Sequence, residues 1–198
     1  MKALLLSDNI EVYRTYQHDL KIHLSGAGYE QHIAAEGCNT LLYQIVQHKP
    51  DVIIVITESP DKILIETIRH INSELPLPII VLAKHSEKAT TIAITSSGVS
   101  VYIIDDWPLK RIQTVLDVAM ARFEVQQKQQ SELIRYKQRL EDRKYLDKAK
   151  GLLMELRQVS ENEAHGLLRK MAMDQNLRIG EVAKNMISGF SLLDSRRS

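Results

Sequence analysis

RKYLDKAKGLLMELRQVSENEAHGLLRKMAMDQNLRIGEVAKNMI, residues 143–187, reads as three helical patterns with almost no loop between them. In the first, Leu146, Ala149, Leu152, Leu153 and Leu156 recur at helical spacing. The second opens on Ser160 with Glu163 three residues on, a capping-box signature, and then carries Ala164, Leu167, Leu168 and Met171 on one face. The third is short, with Ile179, Val182, Ala183 and Met186 as its apolar side. Each is too short to be stable alone in water, so the three must bury their stripes against one another. Beside the stripes lie cations. At 100° per residue Arg143, Lys150 and Arg157 share a narrow sector of the first helix, and Arg169 projects from the second, flanked by His165 and Ala172. Gly151 falls on the polar side of the first helix, where glycine costs about 1 kcal/mol relative to alanine. Helices that accept that cost often let something approach the backbone. Cations around a bare backbone patch make a surface for phosphates; the plainer alternative is a solvated helix face.

The residues AKGLLM (149–154), SENEAHGLLRKMAM (160–173) and EVAKNMI (181–187) resemble the ANTAR domain, the small three-helix RNA-binding module of AmiR- and NasR-type transcription antitermination regulators. The resemblance covers roughly the last quarter of the chain without a gap. It implies capture of leader-RNA hairpins, typically a tandem pair, so that a terminator cannot form. By motif match and surface position, Lys150, Gly151 and Arg169 are the first candidates for RNA contact. Arg143, Lys144, Lys148, Arg157 and Lys170 are secondary candidates that tune electrostatic attraction. Ser160 reads as a helix cap, and Ala149, Leu153, Leu168 and Met171 as core. Truncating one of the leucines should cost about 2–5 kcal/mol and unfold this region.

Outside this stretch, 198 residues leave room for one full-sized domain before it. The net charge of +1 hides an asymmetry: residues 131–198 hold 14 Lys and Arg against 10 Asp and Glu, and the first 130 hold 12 against 15. A mildly acidic front and a mildly basic tail suit a regulatory domain followed by an RNA-facing one. The single Cys38 excludes an intramolecular disulfide framework and any cysteine-cluster zinc site, and its expected role is packing. No signal peptide and no run of 18 apolar residues is present, so a cytoplasmic location is expected.

From Met1 the chain alternates apolar runs with helical patterns. LLL (4–6), VIIVI (52–56), PIIVLA (78–83) and VYII (101–104) read as buried parallel strands, with a weaker strand over Tyr29 to Ala34. Helical patterns fill Val12 to Leu24, Thr40 to His48, Lys62 to Asn72, Lys88 to Ser96 and Leu109 onward. The alternation predicts an α/β fold, a doubly wound five-stranded parallel sheet of flavodoxin-like type, with ligand chemistry at the carboxyl ends of the strands.

There the fold resembles a response-regulator receiver domain, and there the sequence departs from it. A receiver keeps an acidic pair after the first strand to hold Mg²⁺; here the positions are Ser7 and Asp8. The phospho-accepting aspartate should end the third strand in a PDxxxxD slot, and PDVIIVI puts Ile56 there. The Ser/Thr that reads the phosphoryl group matches Ala83, and its lysine partner matches Asp105. Thr57 and Glu58 lie nearby without rebuilding the site. Neither phosphotransfer nor Mg²⁺ binding is expected. No nucleophile–base–orienter set or metal-ligand cluster occurs elsewhere, so no enzyme activity, cofactor or metal is expected. The layout resembles the NasT family of nitrate-assimilation regulators, which implies control by a nitrate- and nitrite-sensing NasS-like partner that sequesters the regulator. Trp107-Pro108, after the last strand, is a candidate partner contact, against ordinary packing on the adjacent helix.

Between Leu109 and Tyr145 there is no proline or glycine, so one long helix is expected, continuing into the first helix of residues 143–187. Phe123, Leu133 and Leu140 fit a weak seven-residue seam interrupted by Gln126, Gln130 and Lys137, a homodimer seam in one reading and a solvated spacer in the other. The expected organisation is a pseudo-receiver over residues 1–122, a helical linker over 123–142, the ANTAR module over 143–190 and a disordered tail over 191–198. Two rivals to an RNA-binding antiterminator are a DNA-binding response regulator and a protein-interaction adaptor. The first is disfavoured because IGEVAKNMI offers only Lys184 and Asn185 for a recognition helix, with Glu181 repelling phosphates.

Overall fold

The computed structural model describes residues 1–7, 10–36, 41–105, 107 and 109–194. Asp8, Cys38 and Pro108, each given a role above, lie outside the described residues. The elements run β1 (Lys2–Ser7), α1 (Ile10–Gly26), β2 (Glu30–Glu36), α2 (Leu41–His48), β3 (Val52–Thr57), α3 (Lys62–Glu74), β4 (Ile79–Ala83), α4 (Lys88–Ser96) and β5 (Val101–Ile104). A 3-10 turn over Leu109–Arg111 then leads into α5 (Ile112–Arg157), α6 (Glu161–Gln175) and α7 (Ile179–Asp194). The chain divides into two compact units, Met1–Gln127 and Lys128–Ser198, and α5 contributes to both.

The first unit is a receiver-like α/β domain whose parallel strands lie in the order β2-β1-β3-β4-β5. Every residue of β3 and β4 is buried, because helices cover both faces of a parallel sheet. The period-2 alternation divides the apolar residues between two cores. Leu5, Ile54, Ile56 and Leu82 face α1 and the start of α5. Leu4, Ile53, Val55 and Val81 face α2, α3 and α4. α3 shows how sequence sets an element here. Its Asp61 cap accepts the Leu64 N–H at 2.7 Å, and Leu64, Ile65, Ile68 and Ile71 then repeat at helical spacing into the second core. The β5 edge is less covered, with Ile104 42 % exposed.

In the second unit α5, α6 and α7 enclose a separate core of Ala149, Leu153, Ala164, Leu168, Val182 and Ala183, with Ala172 at its margin. Four of these seven are alanines, which let helix backbones approach closely. Two expectations change. The third helix does not stop near Ile187 but runs to Asp194, so residues 191–194 of the expected disordered tail are helical. Leu156, placed on the buried stripe, lies in the last turn of α5 and is 58 % exposed, outside the core cluster. Among the described residues no helix is long and apolar enough to cross a membrane.

Candidate nucleic-acid interface

The outer surface of the three-helix unit is built on its caps. At the start of α6 Ser160 N–H donates to Glu163 Oε2 at 2.8 Å, and Glu163 N–H donates back to Ser160 Oγ at 3.4 Å. The capping box of the sequence is therefore formed, and Ser160's bonds hold the Glu163 carboxyl below the usual carboxylate range. α6 ends on Asn176 in the left-handed conformation (φ 52°), whose N–H bonds back to Ala172 and Met173 carbonyls. α7 starts with a second carboxylate cap. Arg178 N–H donates to Glu181 Oε2 at 3.0 Å and the Arg178 guanidinium to Glu181 Oε1 at 2.8 Å. Glu181 thus serves its own helix start. Gly180 lies against α5, where an added Cβ would overlap the Asp142 side chain, its Oδ1 included at 2.6 Å.

The candidate contact residues divide sharply. Lys150 is no free cation: its Nζ meets Asp147 Oδ1 at 2.9 Å and Glu161 Oε1 at 2.7 Å, and its side chain is only 16 % exposed. These bonds, Glu161's first, raise its pKa and lower that of Asp147. Lys150 therefore joins α5 to the first turn of α6, with its charge offset by two carboxylates. Arg143, Lys144, Lys148, Arg157, Arg169 and Lys170 are all exposed and close no ion pair among the described residues. Gly151 is exposed with nothing within 4 Å of an added Cβ, so its backbone is open to a ligand. Ala172, expected beside Arg169 on the outer face, is instead buried in the core. Lys184 is exposed and sits 5.8 Å over the Tyr145 ring.

One feature escaped the sequence reading. Gly166 on α6 is exposed and equally open, next to His165 and Arg169. The signal was the same as for Gly151, a glycine on the polar side of a helix. Met173 on the same helix is 74 % exposed, an apolar contact offered beside Arg169 and Lys170.

In the first unit three of the residues at the receiver's chemical positions, Ser7, Ile56 and Ala83, are buried, and Asp105 is exposed. Ile56 is fully buried in the core that faces α1 and α5, and Ala83 is fully buried too. Ser7 is 8 % exposed at the end of β1. Asp105 adopts φ 61°, and its N–H donates to the Ala83 carbonyl at 2.9 Å. The Trp107 indole N–H donates to the same carbonyl at 3.1 Å, and its ring packs on Tyr16 with centroids 4.3 Å apart. Trp107 is half-buried and packs against the core that faces α1 and α5, as the packing alternative expects.

Comparison with known proteins fits this two-part layout. Residues 135–187 match the family profile of the ANTAR domain. The chain is 27 % identical over 137 residues to the transcriptional regulatory protein PdtaR of Mycobacterium tuberculosis, covering 69 % of this chain and 67 % of that one. It is 36 % identical over 88 residues to the nitrate regulatory protein of Klebsiella oxytoca, covering 42 % of this chain and 22 % of the relative. In structure it superposes on a two-component response regulator from Clostridium difficile with a TM-score of 0.52 at 19 % identity, covering 62 % of this chain and 97 % of that one. An orphan response regulator of Helicobacter pylori gives a TM-score of 0.50 at 16 % identity, over 62 % and 96 %. The chain thus joins a receiver-like α/β domain to a helical unit. More particularly, residues 135–187 of the helical unit are similar to the ANTAR domain, and a transcriptional regulatory protein is among the relatives of the chain.

Proposed function

We propose that the chain is an RNA-binding transcription antiterminator that captures leader-RNA hairpins and so prevents a terminator from forming. The observation that carries this reading is the ANTAR match over residues 135–187. Its support in the geometry is a set of unpaired exposed cations beside the open backbones of Gly151 and Gly166. Hairpin loops display unstacked bases and phosphates, which a shaped surface with a few cations can hold. The primary contacts in this reading are Arg169, Gly151 and Gly166; Arg143, Lys148 and Arg157 add electrostatic attraction, and Lys150 holds α5 against α6.

Control in this reading comes from a protein partner and not from aspartyl phosphorylation. The phosphoacceptor position holds Ile56, whose hydrocarbon side chain accepts no phosphoryl group and is sealed in the core. A degenerate receiver needs another input, and a NasS-like nitrate- and nitrite-sensing protein that sequesters the regulator supplies one. A role in nitrate assimilation draws on the similarity to the Klebsiella oxytoca nitrate regulatory protein. The seam at Leu133 and Leu140, 48 % and 61 % exposed, allows a homodimer through α5.

Competition at fixed salt between a labelled RNA of two tandem stem-loops and duplex DNA of equal charge tests the RNA reading. The RNA should be preferred; preference for the duplex would sink it in favour of a DNA-binding regulator. Recovery of the native complex with and without nitrate tests the partner. A sensing protein should be present without nitrate and absent with it.

A further inference from the structure

We propose that the RNA-contacting surface extends beyond the three-helix core along α5, through Arg135 and Arg139, with Tyr136 between them as a stacking platform. This rests on the antiterminator reading and enlarges its site. The sequence treated residues 123–142 as a spacer or a seam, so neither arginine was a candidate.

The geometry points there for four reasons. First, at 100° per residue Lys128, Arg135, Arg139, Arg143 and Arg157 fall within about 80° of one another on α5. With a rise of 1.5 Å per residue they form a column about 44 Å long that ends beside the ANTAR core. The arginine steps 135, 139 and 143 are each about 6 Å, close to the separation of neighbouring phosphates on one strand.

Second, all five are exposed and none closes an ion pair among the described residues. Acids stand at helical spacing without closing an ion pair with these five; Asp147 acts on Arg143 at longer range, and Asp142 on Arg178. Glu132 lies three residues before Arg135, and Asp142, three after Arg139, lies against Gly180 of α7. Lys150 and Arg178, by contrast, are tied to carboxylates. Unpaired guanidiniums in a row are the electrostatic footprint of a polyanion.

Third, Glu132, Arg135, Tyr136 and Arg139 line a groove of about 150 Å³. Small-molecule sites run from about 300 Å³ upward, so this groove suits a phosphate or sugar edge and not a metabolite. Fourth, Tyr136 is 61 % exposed between the two arginines, where an unstacked base can lie on its ring. A second copy of the helix is the competing occupant, since Leu133 and Leu140 flank Tyr136. The cations favour RNA, because in a parallel pair on that seam Lys137 would meet Lys137 of the second copy, like charge against like, while Arg135 and Arg139 lie outside the seam.

The test uses the full chain, a synthetic RNA of two tandem stem-loops, and titrations across a salt series. Each cation that neutralises a phosphate adds about 0.7–0.9 to the slope of log affinity against log salt. The Arg135→Gln/Arg139→Gln double variant, with an unchanged melting curve, should therefore show a slope shallower by about 1.4–1.8 and bind about 25-fold or more weakly at 0.1 M salt. Glu132→Gln should bind more tightly than the parent, because it removes an anion from the groove. Tyr136→Ala should weaken binding about fivefold or more with the salt slope unchanged. Parental affinity and slope in the double variant would overturn the extension while leaving hairpin binding in place. A parent that binds no stem-loop RNA would overturn the antiterminator reading and the extension together. If Tyr136→Ala shifted the monomer–dimer balance in sedimentation while RNA affinity held, the face would belong to a second copy.

Discussion

Ile56 and Lys150 occupy positions that a motif-based reading marks as chemical, and in both cases the surroundings assign another role. The Ile56 side chain is sealed among Leu5, Ile54, Leu82 and Leu116. An aspartate there would leave a carboxylate in the core without a partner, at a penalty on the order of several kcal/mol. Ile56→Asp should therefore unfold the first unit and not restore phosphorylation. Fluorescence of Trp107, the single tryptophan, reports that unit alone and would show a lowered melting temperature. A folded variant that takes up phosphate from a small-molecule donor would contradict this. Lys150, held by Asp147 and Glu161, has little net charge to offer a phosphate. Arg169→Ala should weaken hairpin binding about fivefold at 0.1 M salt, the share of one phosphate contact. Lys150→Ala should lower the melting temperature of the helical unit and change the salt slope less than Arg169→Ala does.

The helices of the second unit depend on charged caps, and this gives their stability a pH dependence of known sign. Ser160's bonds to Glu163, Arg178's to Glu181 and Lys150's to Asp147 each hold a carboxyl below its ordinary range. A lowered folded-state pKa means stability that is complete above the unfolded value and lost as pH falls through the folded one. Glu163→Gln should thus melt below the parent at pH 7, and the gap should close as pH falls through the carboxylate range. A gap independent of pH would mean that Glu163 acts through packing alone. Ser160→Ala removes the reciprocal bond and should destabilise by about 0.5–2 kcal/mol. These caps were legible in the sequence because SENE carries its signal within four residues. The β3 and β4 runs were legible too, since burial on both faces leaves only β-branched and apolar side chains. The Lys150 clamp was not, because Glu161 lies 11 residues away and meets it only when α6 folds back on α5. Ala172 escaped for a related reason. An alanine reads as neutral on any face, and only the close approach of the helices buries it.

In the whole molecule, two units with separate cores share one unbroken helix, and the first unit has the buried Ile56 and Ala83 where a receiver keeps its phosphoacceptor and its Ser/Thr. If aspartyl phosphorylation were the input, a phosphodonor would change the output, yet the acceptor position is a hydrocarbon buried to 0 % exposure. In the reading proposed above, the input is the binding of a partner. A partner that prefers the RNA-free regulator lowers RNA affinity by mass action, and a ligand that removes the partner restores it. Acetyl phosphate should therefore leave both the intact mass and the hairpin affinity of the chain unchanged. Nitrate should also leave hairpin affinity unchanged when the chain is alone. With the sensing partner present at a concentration above its dissociation constant, hairpin affinity should fall, and nitrate should return it to the value of the isolated chain. By reciprocity, saturating hairpin RNA should weaken partner binding by the same factor that the partner weakens RNA binding. Titrations of both ligands in both orders measure that factor twice. Two unequal factors would exclude a single competitive equilibrium, and a nitrate response from the chain alone would place the sensor in the regulator itself.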